Sequence, residues 1–216
     1  MARKALVICN GEPPSRALAR RFAATSDFIV AADGGANIGR RYGIRPDVII
    51  GDLDSISGAT KRRFSSSTLL HVARQDNTDL EKALDYLSAL EFRNVTILAA
   101  TGHRIDFTLG NLSSLWSYTS FLDLTVAGDG WWAVPVGRRK HVEARVGTTA
   151  SLIPFGDCDG ITLRGLRYPL ADASMKVGEI GVSNVVRKSP FAVQVRRGHM
   201  LLIVFEDPLK AGKRRR

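Results

Sequence analysis

Cysteine is scarce in this chain, and long apolar runs are missing. Cys9 and Cys158 are the only cysteines. They are too few for a disulfide framework and lack metal-ligand spacing, so we expect reduced thiols in a cytoplasmic protein. The longest apolar stretches, 95–100 and 201–205, fall far short of the roughly 20 residues that cross a bilayer. Residues 1–10 also lack the apolar region of a signal peptide. The sequence therefore predicts no membrane span.

The usual glycine-rich nucleotide signatures are absent as well. No Gly-x-x-x-x-Gly-Lys-Ser/Thr loop is present, and no Gly-x-Gly-x-x-Gly follows the first predicted strand. A nucleotide site in this chain must therefore use carboxylate-held metal, backbone groups at strand ends and scattered basic residues.

Positive charge is in excess, with a formal net charge of +10. Half of this excess lies in residues 210–216. Such a basic tail fits an RNA-binding segment or a solvated end, and we expect the solvated end. The sequence shows no aromatic RNA-binding strands, paired Cys/His ligands or recognition helix, so a dedicated nucleic-acid module is not expected.

The sequence does contain six aspartates in four short clusters, each placed where an apolar run breaks into a turn. Taken singly, each is explained as an ordinary turn or cap residue. Residues just past the ends of parallel strands converge on one crevice, however, so these carboxylates can meet at one site. Hard oxygen ligands in a basic protein favour Mg²⁺ with a phosphorylated substrate. The six are Asp33, Asp52, Asp54, Asp76, Asp79 and Asp106.

The first half of the chain alternates segments typical of strands and of helices. This alternation predicts a mostly parallel sheet covered by helices. Thr78 and Glu81 have the spacing of a capping box, which predicts a helix start at Thr78. Residues 106–118 are predicted to form a later helix, with leucines on one face.

After about residue 128 the pattern changes to short β-type runs bounded by Gly, Pro and Asp. These runs predict a second, all-β domain built as a sandwich. The runs 192–196 and 200–205 flank Arg197-Gly198-His199 as the strands of a hairpin would. We expect a nucleotide-binding domain at 1–128, a β domain at 129–209 and the tail at 210–216.

Asp52 and Asp54 are two residues apart, so both side chains point the same way if the segment stays extended. Such a pair can hold Mg²⁺ against phosphates while a basic side chain neutralises phosphate oxygens. Arg74, Lys82 and Arg104 are the candidates for that role, although Lys82 also fits a solvated helix lysine.

Gly34 and Gly35 directly follow a predicted strand and Asp33. They either allow close approach of a ligand to the backbone or provide turn geometry. We expect the ligand contact.

Ordered motifs along nearly the whole chain resemble those of the thiamine pyrophosphokinase family. In the first half they are Ala-Asp-Gly-Gly-Ala-Asn (32–37), Gly-Asp-Leu-Asp-Ser (51–55), Asp-Asn-Thr-Asp-Leu-Glu-Lys (76–82) and Gly-His-Arg-Ile-Asp (102–106). In the second half, Gly-Leu-Arg-Tyr-Pro-Leu (165–170) and Ser183-Asn184 resemble that family's thiamine-side segments.

The resemblance implies a Rossmann-like α/β N-terminal domain, a C-terminal β-sandwich for thiamine binding and dimerisation, and a homodimer with active sites at the subunit interface. It implies transfer of pyrophosphate from ATP to the thiamine hydroxyl, which gives thiamine diphosphate and AMP. The implied catalytic residues are Asp52, Asp54, Asp76, Asp79 and Asp106, with Mg²⁺ on Asp52, Asp54 and Asp76. The implied nucleotide contacts are Asp33, Gly34, Gly35, Asn37, Arg74, Lys82 and Arg104. Tyr168, Ser183 and Asn184 are the implied thiamine contacts.

Several roles stay open. One of Asp76, Asp79 and Asp106 accepts or orients the thiamine hydroxyl. Tyr168 stands where the family has a tryptophan and is expected to give thiamine an aromatic face, with a tyrosine packed at a sandwich edge as the alternative.

The chain departs from the family pattern at His103, Phe107 and Gln75, where the family has Gly, His and often Lys. None of these changes removes a carboxylate. The alternative functions are a pyrophosphokinase acting on a hydroxymethylpterin and a non-catalytic nucleotide- or RNA-binding protein.

Overall fold

The computed structural model describes residues 3–73, 76–179 and 181–209. The chain divides into two compact units, residues 1–128 and 129–216. The basic tail at 210–216, predicted to be a solvated end, lies outside the described residues.

The first unit contains a six-stranded sheet in the order β6-β5-β1-β2-β3-β4, with every neighbouring pair parallel. The strand order reverses between β1 and β5, as it does in Rossmann-like folds. The predicted mostly parallel α/β domain is therefore confirmed. The strands are β1 (Lys4–Ile8), β2 (Phe28–Ala32), β3 (Val48–Gly51), β4 (Thr68–His71), β5 (Asn94–Leu98) and β6 (Asp123–Gly128).

Short helices connect these strands. The predicted capping box is confirmed at the start of the fourth helix, where Thr78 Oγ1 accepts from Glu81 N at 3.2 Å and Glu81 Oε2 accepts from Thr78 N at 2.8 Å. No helix in the described ranges is long and apolar enough to span a bilayer. The helices are α1 (Arg16–Ala23), α2 (Gly35–Tyr42), α3 (Gly58–Arg63), α4 (Asp79–Ala89) and α5 (Ile105–Ser114).

The single helix predicted for residues 106–118 needs a correction. The structure ends α5 at Ser114 and continues as a 3-10 helix over Leu115–Tyr118. The Ser113 and Ser114 hydroxyls each donate to the carbonyl oxygen three residues back, at 2.9 and 3.1 Å. Such local bonds compete with the regular helical ladder, which accounts for the tighter last turn.

The second unit contains two antiparallel sheets, as the predicted β-sandwich requires. One sheet has the order β12-β9-β14-β7 and the other β11-β10-β13-β8. Buried apolar side chains of these strands form the core of the unit, among them Leu152, Ile161 and Val193. The strands are β7 (Trp131–Val136), β8 (Arg139–Val142), β9 (Thr149–Pro154), β10 (Cys158–Arg164), β11 (Leu170–Met175), β12 (Asn184–Val185), β13 (Phe191–Gln194) and β14 (Met200–Val204).

The predicted hairpin around Arg197-Gly198-His199 is wrong. β13 pairs with β8 and β10, whereas β14 pairs with β7 and β9 in the other sheet. The connection is tied to β10, because Asp159 N donates to Arg197 O at 2.9 Å and Arg197 N donates to Asp159 O at 3.1 Å. A side chain at Gly198 would clash with the Asp157 carbonyl oxygen. The segment therefore crosses between the sheets against β10.

Candidate active site

A cavity of about 360 Å³, the main cleft, lies at the carboxyl ends of the parallel strands in the first unit. Residues after β1 and residues after β5 both line it, so it opens at the point where the strand order reverses. Open α/β sheets bind ligands at this position. The polar and charged lining residues are Asn10, Asp33, Asp52, Asp54, Ser55, Thr78, Asp79, His103, Arg104 and Asn111.

Three carboxylates meet in the main cleft. Asp33 follows β2, and Asp52 and Asp54 follow β3; one ligand atom from each lies within 4.8 Å of the others. Three carboxylates gathered in this way could hold Mg²⁺, which binds through a few carboxylates and keeps water and phosphate as its other ligands.

Asp33 is the least solvated of the three, with 4% of its surface exposed. Its Oδ1 atom is buried and has no hydrogen-bond partner among the described residues. Burial raises the pKa of the Asp33 carboxyl, hydrogen bonds from Ser55 and Gly34 oppose this rise, and the Asp79 and Asp52 charges add to it. A bound cation would satisfy the buried oxygen and compensate the repulsion, so these residues fit a metal ion.

Backbone strain is concentrated in the loops around the main cleft. Four non-glycine residues there have positive φ angles: Asp33 (42°), Leu53 (63°), Ala99 (55°) and His103 (53°). Such angles are costly for residues with a Cβ and persist where the surrounding structure enforces them, often at functional sites. Asp33 and Leu53 lie in the loops that carry the three carboxylates, and Ala99 and His103 lie in the segment after β5.

Asn37 holds the loop that carries Asp52 and Asp54. Its Nδ2 donates to Ser55 O at 2.8 Å, and its Oδ1 accepts from Ser57 N at 3.1 Å and from the Thr60 hydroxyl at 2.8 Å. The sequence predicts Asn37 as a nucleotide contact. In the structure its side chain is engaged with the protein, so a role in positioning the loop of Asp52 and Asp54 accounts for these bonds.

The two glycines after Asp33 make room for protein atoms. A side chain at Gly34 would clash with the Asn10 side chain, and one at Gly35 would clash with the Ile8 carbonyl oxygen. Both residues are buried where α2 begins against the end of β1. Close packing explains both glycines, and backbone contact with a ligand stays a prediction.

Asp79 lines the main cleft and is paired with Lys82. The Lys82 Nζ atom lies 2.9 Å from Asp79 Oδ1, and Lys82 is only 5% exposed. The interpretation of Lys82 as a solvated helix lysine is therefore wrong. Its ammonium group neutralises Asp79, which fixes that carboxylate at the start of α4.

Asp106 is paired with Arg104 at the mouth of the main cleft. Arg104 Nε donates to Asp106 Oδ1 at 3.0 Å, and a second bond joins Nη2 to Oδ2. This contact lowers the pKa of the Asp106 carboxyl to about 2. The Arg104 guanidinium carbon also lies 4.6 Å from the centroid of the Phe107 ring. Arg104 is thus engaged with two neighbours, and Asp106 is a weak base.

The described residues do not place Asp76 or Arg74 in this arrangement. Asp76 is exposed in the loop before α4 and is not in the group of three carboxylates that the described residues form. Arg74 lies outside the described residues, as does Gln75. Roles for Asp76 and Arg74 stay predictions.

The structure adds residues that the sequence reasoning missed. Asn10 directly follows β1 and lines the main cleft, and Asn111 donates to the Ala100 carbonyl oxygen at 2.9 Å from a buried position on α5. The strand-end rule used for the aspartates would also have selected Asn10. Asn111, with Leu112, belongs to the sequence motifs that resemble the family, but it was not assigned a role in the site.

The predicted thiamine contacts lie in the second unit, and two of them are bonded together. Asn184 Nδ2 donates to Tyr168 O at 2.8 Å, and Asn184 Oδ1 accepts from Tyr168 N at 3.0 Å. Asn184 is buried, whereas Tyr168 is 57% exposed. The neighbouring Ser183 has a φ of 62° and donates its N–H to Ser151 Oγ at 3.1 Å. The exposed ring contradicts a tyrosine packed at the sandwich edge.

We expect Asp33→Asn to raise the melting temperature of the metal-free protein by roughly 2–4 °C, as removal of about 1 kcal/mol of repulsion would. Asparagine keeps the shape of aspartate and tolerates positive φ. Because the pKa of Asp33 is raised, the charged form costs stability above the ordinary aspartate pKa of about 3.9, and the gain should fade below that pH. Thermal melts between acid and neutral pH measure this difference.

Saturating Mg²⁺ should raise the melting temperature of the wild type but not that of Asp33→Asn. Asp157→Asn, an exposed change in the second unit, is the matched control. Two results would contradict the role of Asp33 as a repelled carboxylate that binds Mg²⁺. One is a lower melting temperature for metal-free Asp33→Asn than for the metal-free wild type, and the other is a rise in melting temperature with Mg²⁺ as large as that of the wild type.

We expect Asn184→Ala to lower the free energy of unfolding by about 1–3 kcal/mol, because two backbone groups of Tyr168 lose their partner. Chemical denaturation measures this loss. The same variant should raise the KM for thiamine and leave the KM for ATP unchanged. Gln194→Ala, at an exposed position on β13, is the control. An unchanged KM for thiamine in Asn184→Ala would show that the hydrogen bonds between Asn184 and Tyr168 do not contribute to thiamine binding.

A strand-end cleft of converging carboxylates is typical of α/β enzymes that act on phosphorylated substrates. The family model described as thiamin pyrophosphokinase, catalytic domain, matches residues 19–126, and that described as thiamin pyrophosphokinase, vitamin B1 binding domain, matches residues 139–200. The chain belongs to the thiamine pyrophosphokinase family and is an enzyme, so the family and activity predicted from the motifs are confirmed.

Individual relatives agree with this assignment. Thiamine pyrophosphokinase 1 of Oryza sativa subsp. japonica is 30% identical over 74% of this chain and 72% of its own length. Thiamine pyrophosphokinase of Bacillus subtilis is 30% identical over 76% of this chain and 81% of its own. The crystal structure of thiamine pyrophosphokinase from Bacillus subtilis superposes with a TM-score of 0.82 and 23% identity, covering 95% of this chain and 100% of that one. The likeness in structure extends over both units.

Proposed function

We propose that the main cleft is where the enzyme transfers the β,γ-pyrophosphoryl unit of ATP to the hydroxyl of thiamine, which yields thiamine diphosphate and AMP. The observation that carries this proposal is the group formed by Asp33, Asp52 and Asp54, together with the buried Oδ1 of Asp33, which has no hydrogen-bond partner among the described residues. A carboxylate group of this kind at a strand-end cleft suits a triphosphate bound through a divalent cation.

Asp52 and Asp54, with Asp33 as a third donor, would hold Mg²⁺; Asp76 stays a candidate for the same ion. When bound, Mg²⁺ supplies charge neutralisation on the phosphate oxygens as the bond to the leaving group breaks. Asn37 keeps the Asp52–Asp54 loop in place through its contacts with Ser55, Ser57 and Thr60.

The thiamine hydroxyl oxygen attacks the β-phosphorus, and the bond between that phosphorus and the α-phosphate oxygen breaks. The hydroxyl proton needs an acceptor in the cleft. Asp106 is ill suited, since its pKa is about 2. Asp79 lines the cleft, and Lys82 holds it in position by a bond to Oδ1 at 2.9 Å, whereas Arg104 bonds both oxygens of Asp106. We therefore assign Asp79 the role of orienting the hydroxyl and receiving its proton.

The thiamine-binding surface is assigned to Tyr168, Ser183 and Asn184 of the second unit. The exposed Tyr168 ring offers an aromatic face to the cationic thiazolium, and Asn184 fixes its backbone. We further propose a homodimer in which Tyr168 of one subunit serves the cleft of the other. The two free thiols, Cys9 and Cys158, suit the reducing cytoplasm, where we place the enzyme.

Incubation of the purified protein with ATP and Mg²⁺ tests the proposal. Thiamine is offered in one reaction and a hydroxymethylpterin in another, and AMP and product mass are measured in both. We expect equal amounts of AMP and thiamine diphosphate with thiamine, and no product with the pterin. Formation of ADP with thiamine monophosphate, or turnover of the pterin alone, would contradict the proposed reaction.

A further inference from the structure

The residue between two carboxylates of the main cleft has a strained backbone. Leu53 stands between Asp52 and Asp54 in the chain, and its φ is 63°. A bulky side chain is rarely found at such an angle, because its Cβ crowds the backbone. A strained residue persists only where its surroundings hold it, so contacts around Leu53 must keep this conformation.

The side chain of Leu53 is held by apolar packing. It is partly buried and packs against a cluster of buried residues from β2, α2, β3 and the two ends of α3. The cluster consists of Ala31, Ala36, Ile49, Ile56 and Phe64. The Leu53 side chain therefore packs into the core, whereas Asp52 and Asp54 line the main cleft.

The carbonyl group of Leu53 is held by a lysine on α3. Lys61 Nζ donates to Leu53 O at 3.0 Å. Lys61 is exposed, and among the described residues it forms no ion pair, although a carboxylate precedes and another follows Leu53 in the chain. The bond therefore fixes the backbone of the loop without occupying a carboxylate oxygen.

α3 itself is anchored on both sides of Lys61. Ser57 Oγ accepts from Thr60 N at 3.2 Å at the start of the helix, and Thr60 is fully buried. Phe64, directly after the helix, is buried in the cluster that packs against Leu53. Lys61 therefore projects from a fixed backbone next to the loop whose carbonyl group it bonds.

We propose that Lys61 is a positioning residue of the metal site, which acts through Leu53 and sets the backbone between Asp52 and Asp54 before the ion binds. The inference rests on the proposed function, because it takes these two carboxylates as ligands of the cation that binds with ATP. Ligands that are already in place bind a cation more tightly, since less freedom is lost on binding. Lys61 lies outside the motifs that resemble the family, so the resemblance gives it no role.

A solvated lysine near the loop predicts the opposite effect on metal binding. A positive charge close to a cation site repels the incoming ion, so removal of that charge alone should tighten metal binding or, with full screening, leave it unchanged. Loss of a positioning bond should weaken metal binding. The sign of the change therefore separates the two roles of Lys61.

Titration of the full chain with Mn²⁺, as the probe for Mg²⁺, measures this sign without either substrate. We expect Lys61→Met to weaken Mn²⁺ affinity about 3- to 10-fold, as loss of a hydrogen bond from a charged donor would. Lys61→Arg keeps a charged donor and should stay within about 2-fold of the wild type. Arg62→Met is the matched control, because it removes the same charge from the next exposed position of α3, and it should not weaken Mn²⁺ binding.

Hydrogen exchange of the metal-free proteins gives a second measurement. Mass spectrometry of the segment 51–56 should show faster exchange in Lys61→Met than in the wild type, because the loop then opens more often. Arg62→Met should exchange like the wild type. In turnover, Lys61→Met should need about 3- to 10-fold more Mg²⁺ for half of its maximal rate and should keep the KM for thiamine.

Mn²⁺ affinity of Lys61→Met equal to or tighter than that of the wild type would overturn the proposal. An equal loss in Arg62→Met, a loss in Lys61→Arg as large as that in Lys61→Met, or unchanged hydrogen exchange in Lys61→Met would overturn it as well. These measurements use no ATP or thiamine, so they judge the role of Lys61 by themselves. A wild type that binds Mn²⁺ but forms no AMP from ATP and thiamine would refute the proposed function instead.

Discussion

Asp52→Asn and Asp54→Asn are each expected to lower turnover at least about 100-fold, because an amide oxygen is an uncharged and weaker ligand for Mg²⁺ than a carboxylate. The fold should survive both changes. Ser55 Oγ donates to Asp54 Oδ1 at 2.8 Å, and Asp54 N donates to Asp52 Oδ1 at 3.3 Å. Asparagine retains an oxygen for each bond. Steady-state rates at saturating substrates, with circular dichroism as the test of folding, measure the effect.

Asp157→Asn removes one exposed carboxylate from the second unit and should leave turnover unchanged. The control separates loss of a metal ligand from the general effect of removing one negative charge. If both cleft variants retain near-normal rates at saturating Mg²⁺, Asp52 and Asp54 are not metal ligands.

Tyr168→Ala is expected to weaken thiamine affinity about 3- to 30-fold and to change ATP affinity little, because it removes the aromatic face offered to the cationic thiazolium. The Asn184 side chain bonds only backbone atoms of residue 168, so both hydrogen bonds persist in this variant. Tyr168→Trp should preserve thiamine affinity. Thiamine affinity equal to that of wild type in Tyr168→Ala would refute the stacking role.

Mixing Tyr168→Ala chains with Asp54→Asn chains tests whether Tyr168 serves the partner subunit's cleft. In a mixed dimer, one site would combine the intact Asp54 of one chain with the intact Tyr168 of the other. We expect partial recovery of activity over either variant alone. Absence of recovery after verified subunit exchange would show that each subunit supplies its own Tyr168.

Much of the site follows from one rule applied to the sequence, that carboxylates after parallel strands converge. The rule anticipated the common cleft, but the residue spacing suggested only Asp52 and Asp54 as neighbours. Asp33 joins them because Ala32 on β2 pairs with Ile50 on β3, which places the ends of the two strands side by side. Strand register is set by long-range pairing and cannot be read from the local sequence.

The roles of the polar residues around the carboxylates were harder to predict. Asn37 was assigned to a ligand, yet its side chain bonds Ser55, Ser57 and Thr60. Lys82 was assigned to phosphate or to solvent, yet it is buried against Asp79. In both cases the type of residue shows that the side chain can donate a hydrogen bond. The sequence does not show which group accepts that bond, because the acceptor is brought close only by the fold.

Elements with weak apolar periodicity were missed altogether. α3 consists of Gly58–Arg63, buries only Thr60 and ends in three basic residues. Its sequence therefore has no apolar face from which a helix could be predicted. In β11, at the edge of its sheet, only Met175 is buried. Capping and long-range pairing stabilise these segments, whereas α4 combines a capping box with a buried leucine face and was predicted from its first residue.

The most direct test of the account is a titration with Mn²⁺, followed by electron paramagnetic resonance as a probe for the Mg²⁺ site. The wild type and the variants Asp33→Asn, Asp52→Asn and Asp54→Asn are compared, with Asp157→Asn as the control. We predict that each cleft variant weakens Mn²⁺ affinity at least about 10-fold, and that the control binds like the wild type. Wild-type affinity in all three cleft variants would contradict the assignment of the main cleft as the metal-dependent transfer site.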